Sequence, residues 1–209
     1  MIESMVLKEI AKEVVSEATS LKDFFVEKTK AGLSDAISQE ASLVDNCRLP
    51  RTGGEWVEIN NETHWKPNPD VVPDPDNGKN GNPNGLTWGE ILDKYDIETI
   101  VFKDGYPDFS TVMESEVKID DFTTDRRINF NQADTKQAEQ WNAEGKDGKT
   151  DWSPGDVSQW RKDNNYTWHE CEDCETMQLV PAEVHNNIPH SGGISVAKAE
   201  ELSKENEEV

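Results

Sequence analysis

The stretch that decides the fold runs Tyr166-Thr-Trp-His-Glu170, then Met177-Gln-Leu-Val-Pro181, then His185-Asn-Asn-Ile-Pro-His190. Aromatic residues at alternate positions predict that the first piece is a half-buried strand. The apolar second piece predicts a returning strand, and Pro181 suits the first turn of a short helix. The segment is therefore expected to fold as two strands followed by a helix, with imidazoles on the first strand and on the helix.

Three of the four histidines of the chain lie in this segment, and strand alternation decides which of its side chains can meet. His169 would project from the face opposite to Glu170, so a regular strand cannot direct both at one metal ion. Glu170 can join His169 only if a bulge turns the end of the strand. Five helical positions rotate a side chain by about 140°. His190 is therefore expected to return from a turn after Pro189 rather than from the helix that carries His185.

These side chains match the chemistry of phosphodiester hydrolysis. Histidines with an acidic neighbour can hold a divalent ion, and an imidazole that is not a ligand can take a proton from water. Gln178, on the returning strand, is the candidate that fixes the tautomer of such a base through its side-chain carbonyl. Packing or capping is the alternative for each histidine taken singly, and it is the favoured interpretation for His64, which lies outside the segment.

The rest of the chain predicts a scaffold of helices, short strands and long loops. Residues 2–30 place apolar side chains at helical spacing and predict an amphipathic helix, which either docks a partner or packs on the domain. Thr87-Trp-Gly-Glu90 is a capping box that starts a further helix, and Ser153-Pro154 starts another. The other expected elements are a loop at 66–85, strands at 98–102 and 116–119, a turn at 106–109 and a helix at 129–143.

The chain is strongly acidic, which counts against a protein that binds nucleic acid. Asp and Glu number 43 against 21 Lys and Arg, for a net charge of −22, whereas proteins that bind phosphates usually present basic patches. The few cations must then be concentrated locally. Arg126 and Arg127 are the candidate phosphate contacts, with Lys198 as a third. The alternative is that both arginines pair with neighbouring aspartates.

The cysteines and the apolar runs limit the classes of protein to which the chain can belong. Cys47, Cys171 and Cys174 are too few for a disulfide framework. Cys171 and Cys174 have the spacing of half a zinc site, but a structural zinc ion needs a second pair of ligands, so incidental thiols are the better interpretation. No apolar run approaches the roughly 18–20 residues of a membrane span. We expect a soluble protein that, if exported, leaves its cell without a cleaved signal peptide.

The histidine-rich segment at 166–193 resembles the WHH/WHE toxin branch of the HNH/endonuclease VII superfamily, whose members are ββα-metal nucleases. The stretch at 48–126 also resembles the longer C-terminal modules of these toxins, so the resemblance extends over most of residues 48–198. The matching phrases are Tyr166-Thr-Trp-His-Glu170, Met177-Gln-Leu-Val-Pro181, Val184-His-Asn186 and Pro189-His-Ser-Gly-Gly193.

The resemblance implies a metal-dependent endonuclease that is the effector domain of a bacterial polymorphic toxin. Such a toxin acts in the cytoplasm of a target cell and is neutralised by a cognate immunity protein. DNA is the expected substrate with RNA as the alternative, and the cofactor is one divalent ion, Mg²⁺ or else Zn²⁺, Ni²⁺ or Mn²⁺. By position, His169 would be the general base and His185 a metal ligand assisted by His190. Glu170 stands where many members have a second histidine, so it is a candidate both for a catalytic residue and for a metal ligand. Gln178 is the third candidate catalytic residue, beside His169 and Glu170.

The expected fold class is α+β, with a ββα-metal core of the HNH (His-Me finger) type at about 164–193. Additional helices and a short sheet surround this core, and an amphipathic helix precedes it. Three regions are expected: a helical arm at 1–47 as the remnant of a delivery region, a nuclease domain at 48–198 and an acidic tail at 199–209. Two other functions stay open. One is a catalytically inactive module of the same fold that binds a basic protein. The other is a structural zinc domain that uses Cys171 and Cys174.

Overall fold

The structure, a computed structural model, describes residues 48–73 and 81–207. In these two ranges the chain has an α+β fold with two antiparallel sheets, which confirms the expected class. The expected helix at 2–30 lies outside the described residues, as does part of the expected loop at 66–85. None of the helices in the described ranges is both long and apolar enough to cross a membrane.

Seven strands and five α-helices follow one another in the described ranges. The strands are β1 (Gly54–Ile59), β2 (Glu62–Pro67), β3 (Ile100–Lys103), β4 (Tyr106–Asp108), β5 (Ser115–Lys118), β6 (Tyr166–Glu170) and β7 (Thr176–Pro181). The α-helices are α1 (Trp88–Tyr95), α2 (Arg126–Glu144), α3 (Pro154–Asp163), α4 (Ala182–His185) and α5 (Gly193–Glu207).

Two tight turns build the first sheet, whose strand order is β1-β2-β3-β4. Asn60-Asn61 joins β1 to β2 and Asp104-Gly105 joins β3 to β4, and all four residues have positive φ. Turns of this kind have the twist that antiparallel strands need. We expected a turn at 106–109, and this is wrong, because the tight turn before it returns the chain as strand β4.

Three of the helices begin at side-chain caps, two of which the sequence predicted. Thr87 and Ser153 start α1 and α3, each within a complete capping box, so reciprocal hydrogen bonds satisfy the first backbone donors. Helix α2 begins at Arg126, earlier than predicted, because the side chain of Asp125 accepts a hydrogen bond from the backbone N–H of Arg127. Both arginines therefore lie on the first turn of α2.

The second sheet has the strand order β5-β7-β6, and its central strand is buried along its whole length. Val180 of β7 packs into one apolar core with residues of β2, β3, α1 and α4. Met177 and Leu179 face the other way, into a second core formed with β5, β6, α2 and α3. A strand that is packed on both faces gives a rigid support for the residues beside it.

The carboxylate of Asp134 ties helix α2 to α3 and β6. Arg161 donates hydrogen bonds of 2.8 and 2.7 Å to its two oxygens, and Trp168 Nε1 donates a third of 2.8 Å. All three residues are buried. Because Trp168 precedes His169 in the chain, this buried network fixes strand β6 where it enters the histidine-rich segment.

Candidate metal centre

Three histidines from different elements converge beside strand β6. His169 lies in β6, His185 ends α4, and His190 lies in the loop between α4 and α5. One ring nitrogen of each lies within 4.8 Å of the others, and in the described ranges no other group of three or more potential ligand side chains is so placed. The buried ring of Phe109 contacts all three imidazoles, with centroid distances of 4.9, 5.6 and 5.7 Å.

The chain brings His190 back to the cluster through a loop that passes very close to β6. Helix α4 ends at His185, which confirms that His190 lies outside the helix. A Cβ atom at Gly192 would lie 2.5 Å from the carbonyl oxygen of Glu170 and 3.3 Å from Cε1 of His169. Such an approach excludes a side chain at this position, so the glycine allows the loop to close on the site.

Hydrogen bonds to carbonyl oxygens set the tautomers of two of the histidines. Nδ1 of His185 lies 3.0 Å from Oδ1 of Asn186, and Nδ1 of His190 lies 2.7 Å from the backbone oxygen of Ile188. Because these oxygens can only accept, Nδ1 carries the proton in both rings and Nε2 carries the lone pair. Metal-binding histidines are usually oriented in this way, by a hydrogen bond from the other ring nitrogen.

His169 faces His185 through Nδ1 and is almost completely buried. Its Nδ1 lies 3.2 Å from Nε2 of His185, close to the roughly 3.3 Å between two nitrogen ligands of one tetrahedral ion. Its Nε2 is buried and has no hydrogen-bond partner among the described residues. Burial lowers the pKa of His169 well below its ordinary value, and the charges of His190 and Arg126 lower it further. The ring is therefore neutral at physiological pH and fits a cation.

Glu170 lies on the other face of β6 and does not join the three histidines. Strand β6 pairs regularly with β7 up to Glu170, without the bulge that would have turned this side chain round. The buried carboxylate accepts hydrogen bonds from Nε of Arg126, at 2.7 Å, and from Nδ2 of Asn129, at 2.9 Å. The strand alternation predicted this separation, and the partners lie on helix α2.

Gln178 lies beside His169, because the two residues are directly opposed in the pairing of β6 with β7. Its Nε2 donates a 3.3 Å hydrogen bond to the carboxylate of Glu116, on strand β5. Its Oε1 is buried and, within the described ranges, has no hydrogen-bond partner. The structure thus places Gln178 where the sequence required it, while the hydrogen bond expected between its carbonyl and the imidazole is not formed.

The three predicted phosphate contacts differ in their surroundings. Arg126 is held by Glu170, and half of its side chain is exposed. Arg127 is 83% exposed and pairs only loosely with Asp125, at 3.6 Å. Lys198 is exposed on helix α5, which approaches the start of α2 through a hydrogen bond between Thr124 and Glu201. Of the three, only Arg126 touches a residue of the predicted site.

The two cysteines of the β6–β7 turn are not part of the histidine cluster. Cys171 and Cys174 are both free thiols, and neither supplies an atom to the three-histidine group. Burial raises the pKa of both thiols, and nearby carboxylates raise it further. Nothing in the described ranges gives them a second pair of ligands, so the structure favours incidental thiols over a structural zinc site.

Sequence reasoning missed several residues that contact the site. Phe109 was expected only as part of a turn, Glu116 only as part of a strand, and Asn129 only as part of a helix. Each reaches the site through contacts with residues that are far away in the chain. The one available signal was the alternation of β5, which puts Glu116 on the face opposite to the buried Val117.

Residues 99–192 match the family model of the DNase/tRNase domain of colicin-like bacteriocins. The matched region covers less than half of the 209 residues of the chain, but it contains all three clustered histidines. No curated protein matches the chain. This similarity supports the interpretation that the chain contains a nuclease toxin domain, and nucleases are hydrolases. It also agrees with the presence of a histidine cluster that can hold a divalent ion.

Proposed function

We propose that the chain is a metal-dependent endonuclease of the HNH type that hydrolyses phosphodiester bonds, with DNA as the favoured substrate. The observation that carries this proposal is the convergence of His169, His185 and His190 on a strand–strand–helix unit. That unit lies within the region similar to bacteriocin nuclease domains. Packing alone does not account for three clustered imidazoles, two of which have tautomers set by hydrogen bonds, beside buried polar atoms that have no partner among the described residues.

The donor set narrows the choice of metal. Three imidazoles favour borderline transition metals such as Zn²⁺ and Ni²⁺, whereas Mn²⁺ and Mg²⁺ prefer oxygen ligands. We therefore propose one transition-metal ion held by the three histidines, in preference to the Mg²⁺ that was expected from the sequence. A bound divalent cation would supply a Lewis acid that offsets the charge developing on the phosphate and on the leaving oxygen.

His169 is better assigned to the ligand set than to general base catalysis. The same lone pair can either accept a proton from water or bind a cation. Nδ1 of His169 lies within co-ligand distance of Nε2 of His185, and this favours the ion. Glu170, expected as a ligand or a base, holds Arg126 by a 2.7 Å ion pair instead. We propose that it positions this guanidinium for contact with a phosphate.

Arg126 is the proposed phosphate contact nearest to the metal centre. Its positive charge acts on His169, and half of its side chain is exposed. Arg127 and Lys198 would extend this cationic region along the nucleic acid. Concentrating the few cations at one place is the way in which a chain of net charge −22 can bind a polyanion.

The biological setting that we propose is a bacterial polymorphic toxin with a cognate immunity protein. In this proposal residues 1–47 are the remnant of a delivery region, 48–198 are the nuclease domain and 199–209 are an acidic tail. The toxin is exported and acts in the cytoplasm of a target cell. Similarity to a DNase/tRNase domain of bacteriocins supports the toxic activity and leaves both DNA and RNA as substrates.

The net charge favours one rival function, a catalytically inactive module that binds a basic protein. One experiment separates the two. The purified chain is stripped with EDTA and incubated with plasmid DNA or tRNA, and Zn²⁺, Ni²⁺, Mn²⁺ or Mg²⁺ is added back singly. The variant His185→Gln is compared with His64→Gln, which makes the same change at the histidine outside the cluster. The proposal predicts cleavage that needs metal, is lost in His185→Gln and persists in His64→Gln. Absence of cleavage with every metal and both substrates would overturn it.

A further inference from the structure

Three polar side chains form a row across the second sheet, beside the metal centre. Glu116 on β5 is directly opposed to Gln178 on β7, and Gln178 is directly opposed to His169 on β6. Directly opposed residues of antiparallel strands project from the same face, with Cβ atoms about 4.5–5.5 Å apart. The carboxylate, the amide and the imidazole are therefore neighbours in that order, and only the imidazole belongs to the cluster.

The hydrogen bond between Gln178 and Glu116 determines how the amide is oriented. A carboxylate can only accept, so Gln178 must present its NH₂ group to Glu116, as the 3.3 Å contact between Nε2 and Oε2 shows. The amide oxygen then lies on the side of Gln178 that is turned away from β5. That is the side on which His169 lies.

Gln178 and His169, which are directly opposed, each have one buried polar atom without a partner in the described part of the chain. Oε1 of Gln178 and Nε2 of His169 are both buried, and neither has a partner among the described residues. One is an acceptor, and the other is a donor whenever His169 carries its proton on Nε2. The structure shows no hydrogen bond between them, so a side-chain rotation or one bridging water would be needed to join them.

We propose that Glu116 is a positioning residue that acts on His169 through Gln178. Glu116 orients the amide, and the amide oxygen keeps the proton of His169 on Nε2. The lone pair then stays on Nδ1, which faces His185. This inference rests on the proposed metal site, because it gives all three imidazoles a lone pair that points into the cluster. Asn186 and the Ile188 carbonyl do the same for His185 and His190.

The competing arrangement places the proton of His169 on Nδ1. That ring nitrogen would then donate to Nε2 of His185, at the observed 3.2 Å, and no lone pair would be available between them for a metal ion. The amide oxygen of Gln178 would keep no partner, and Glu116 would have no influence on the imidazole. The two arrangements differ in one proton, so the tautomer of His169 decides between them.

The test measures this tautomer in the full metal-free chain, labelled with ¹⁵N-histidine, by long-range ¹H–¹⁵N correlation spectra near neutral pH. The matched variants are Glu116→Ala, which removes the acceptor, and Glu116→Gln, which keeps one. Glu172→Ala removes the same charge at the exposed turn. We expect Nε2–H in the wild type, Glu116→Gln and Glu172→Ala, and a shift toward Nδ1–H in Glu116→Ala. A proton on Nδ1 in the wild type, or identical spectra in all four proteins, would overturn the proposal.

Calorimetric titration with Zn²⁺ gives the second readout. Direct partners of metal ligands usually contribute about 10–100-fold in metal affinity. Because Glu116 acts through Gln178, we expect Glu116→Ala to weaken binding roughly 3–10-fold, while Glu116→Gln and Glu172→Ala bind like the wild type. An equal loss in Glu116→Ala and Glu172→Ala would show a general charge effect and overturn the positioning role. The tautomer of His169 can be measured without metal or nucleic acid. A chain that cleaves no nucleic acid would therefore refute the proposed function without deciding whether Glu116 positions His169.

Discussion

The two faces of the β6–β7 hairpin differ in how completely their polar groups are paired. On the face toward α2, Trp168 donates to the carboxylate of Asp134, and both oxygens of Glu170 accept hydrogen bonds. On the opposite face, buried polar atoms of His169 and Gln178 have no partner among the described residues. The hairpin thus separates the paired side chains of Trp168 and Glu170 from those of His169 and Gln178, which have unpaired buried atoms.

This difference distinguishes scaffold from site. A buried polar atom without a partner costs about 1–3 kcal/mol, so unpaired atoms are rare and tend to mark functional positions. The paired face holds helix α2 and helix α3 against the sheet, whereas the unpaired face carries the histidines. Breaking a pair on the first face should therefore destabilise the fold, and adding a ligand to the second should stabilise it.

The largest expected effect comes from Asp134→Ala. This change leaves the buried guanidinium of Arg161 and the indole N–H of Trp168 without their acceptor, so the free energy of unfolding should fall by about 3–5 kcal/mol. Chemical denaturation measures the loss. The control is Asp120→Ala, which removes an exposed ion pair to Lys136 and should cost at most about 1 kcal/mol. Equal losses in the two variants would refute the distinction between the faces.

Metal binding should stabilise the unpaired face. At a free Zn²⁺ concentration of 100 times its dissociation constant, a site that exists only in the folded protein adds about 2.7 kcal/mol to the free energy of unfolding. The added stability should vanish in His185→Gln and remain in His64→Gln. Thermal unfolding with and without Zn²⁺ measures it. A shift of the same size in His185→Gln would place the bound metal outside the cluster.

Lowering the pH should destabilise the fold through His169, at pH values above those at which most carboxylates are protonated. The folded pKa of His169 lies well below its ordinary value, so below about pH 6.5 the unfolded chain binds more protons than the folded one. Stability should therefore fall as the pH is lowered through this range, by up to about 1.4 kcal/mol per pH unit for one proton. Denaturation of the metal-free chain between pH 7 and 5 should give a shallower slope for His169→Gln. Identical slopes would contradict the assignment.

Local rules predicted the division between the two faces. Strand alternation separated His169 from Glu170, and helix rotation with Pro189 predicted that His190 returns from a loop. The capping box at Thr87 and the N-cap at Ser153 followed by Pro154 predicted where α1 and α3 begin. Each of these inferences concerns residues within a few positions of one another, where backbone geometry alone decides the outcome.

The partners of the site residues could not be predicted, because they depend on pairing between distant elements. Asn129 bonds Glu170 from 41 residues away, and Glu116 bonds Gln178 from 62 residues away. Strand order and helix packing set these contacts, and no local pattern encodes them. The missed β4 strand has a different cause. Its three residues carry little strand signal by themselves, although they pair with the neighbouring strand β3 across a tight turn.

The smallest expected effect on stability comes from the neighbouring arginines of α2, of which only Arg126 is paired with the hairpin, through Glu170. Arg127→Ala should change the free energy of unfolding by less than about 0.5 kcal/mol, because its side chain is 83% exposed. Arg126→Ala should cost about 1–2 kcal/mol, since buried Glu170 loses a charged donor that is itself half exposed.

If both arginines contact phosphates, each variant should reduce the slope of log binding constant against log salt concentration by about 0.9 for duplex DNA. A reduced slope for Arg126→Ala alone would limit the nucleic-acid contact to the residue that Glu170 holds beside the histidines.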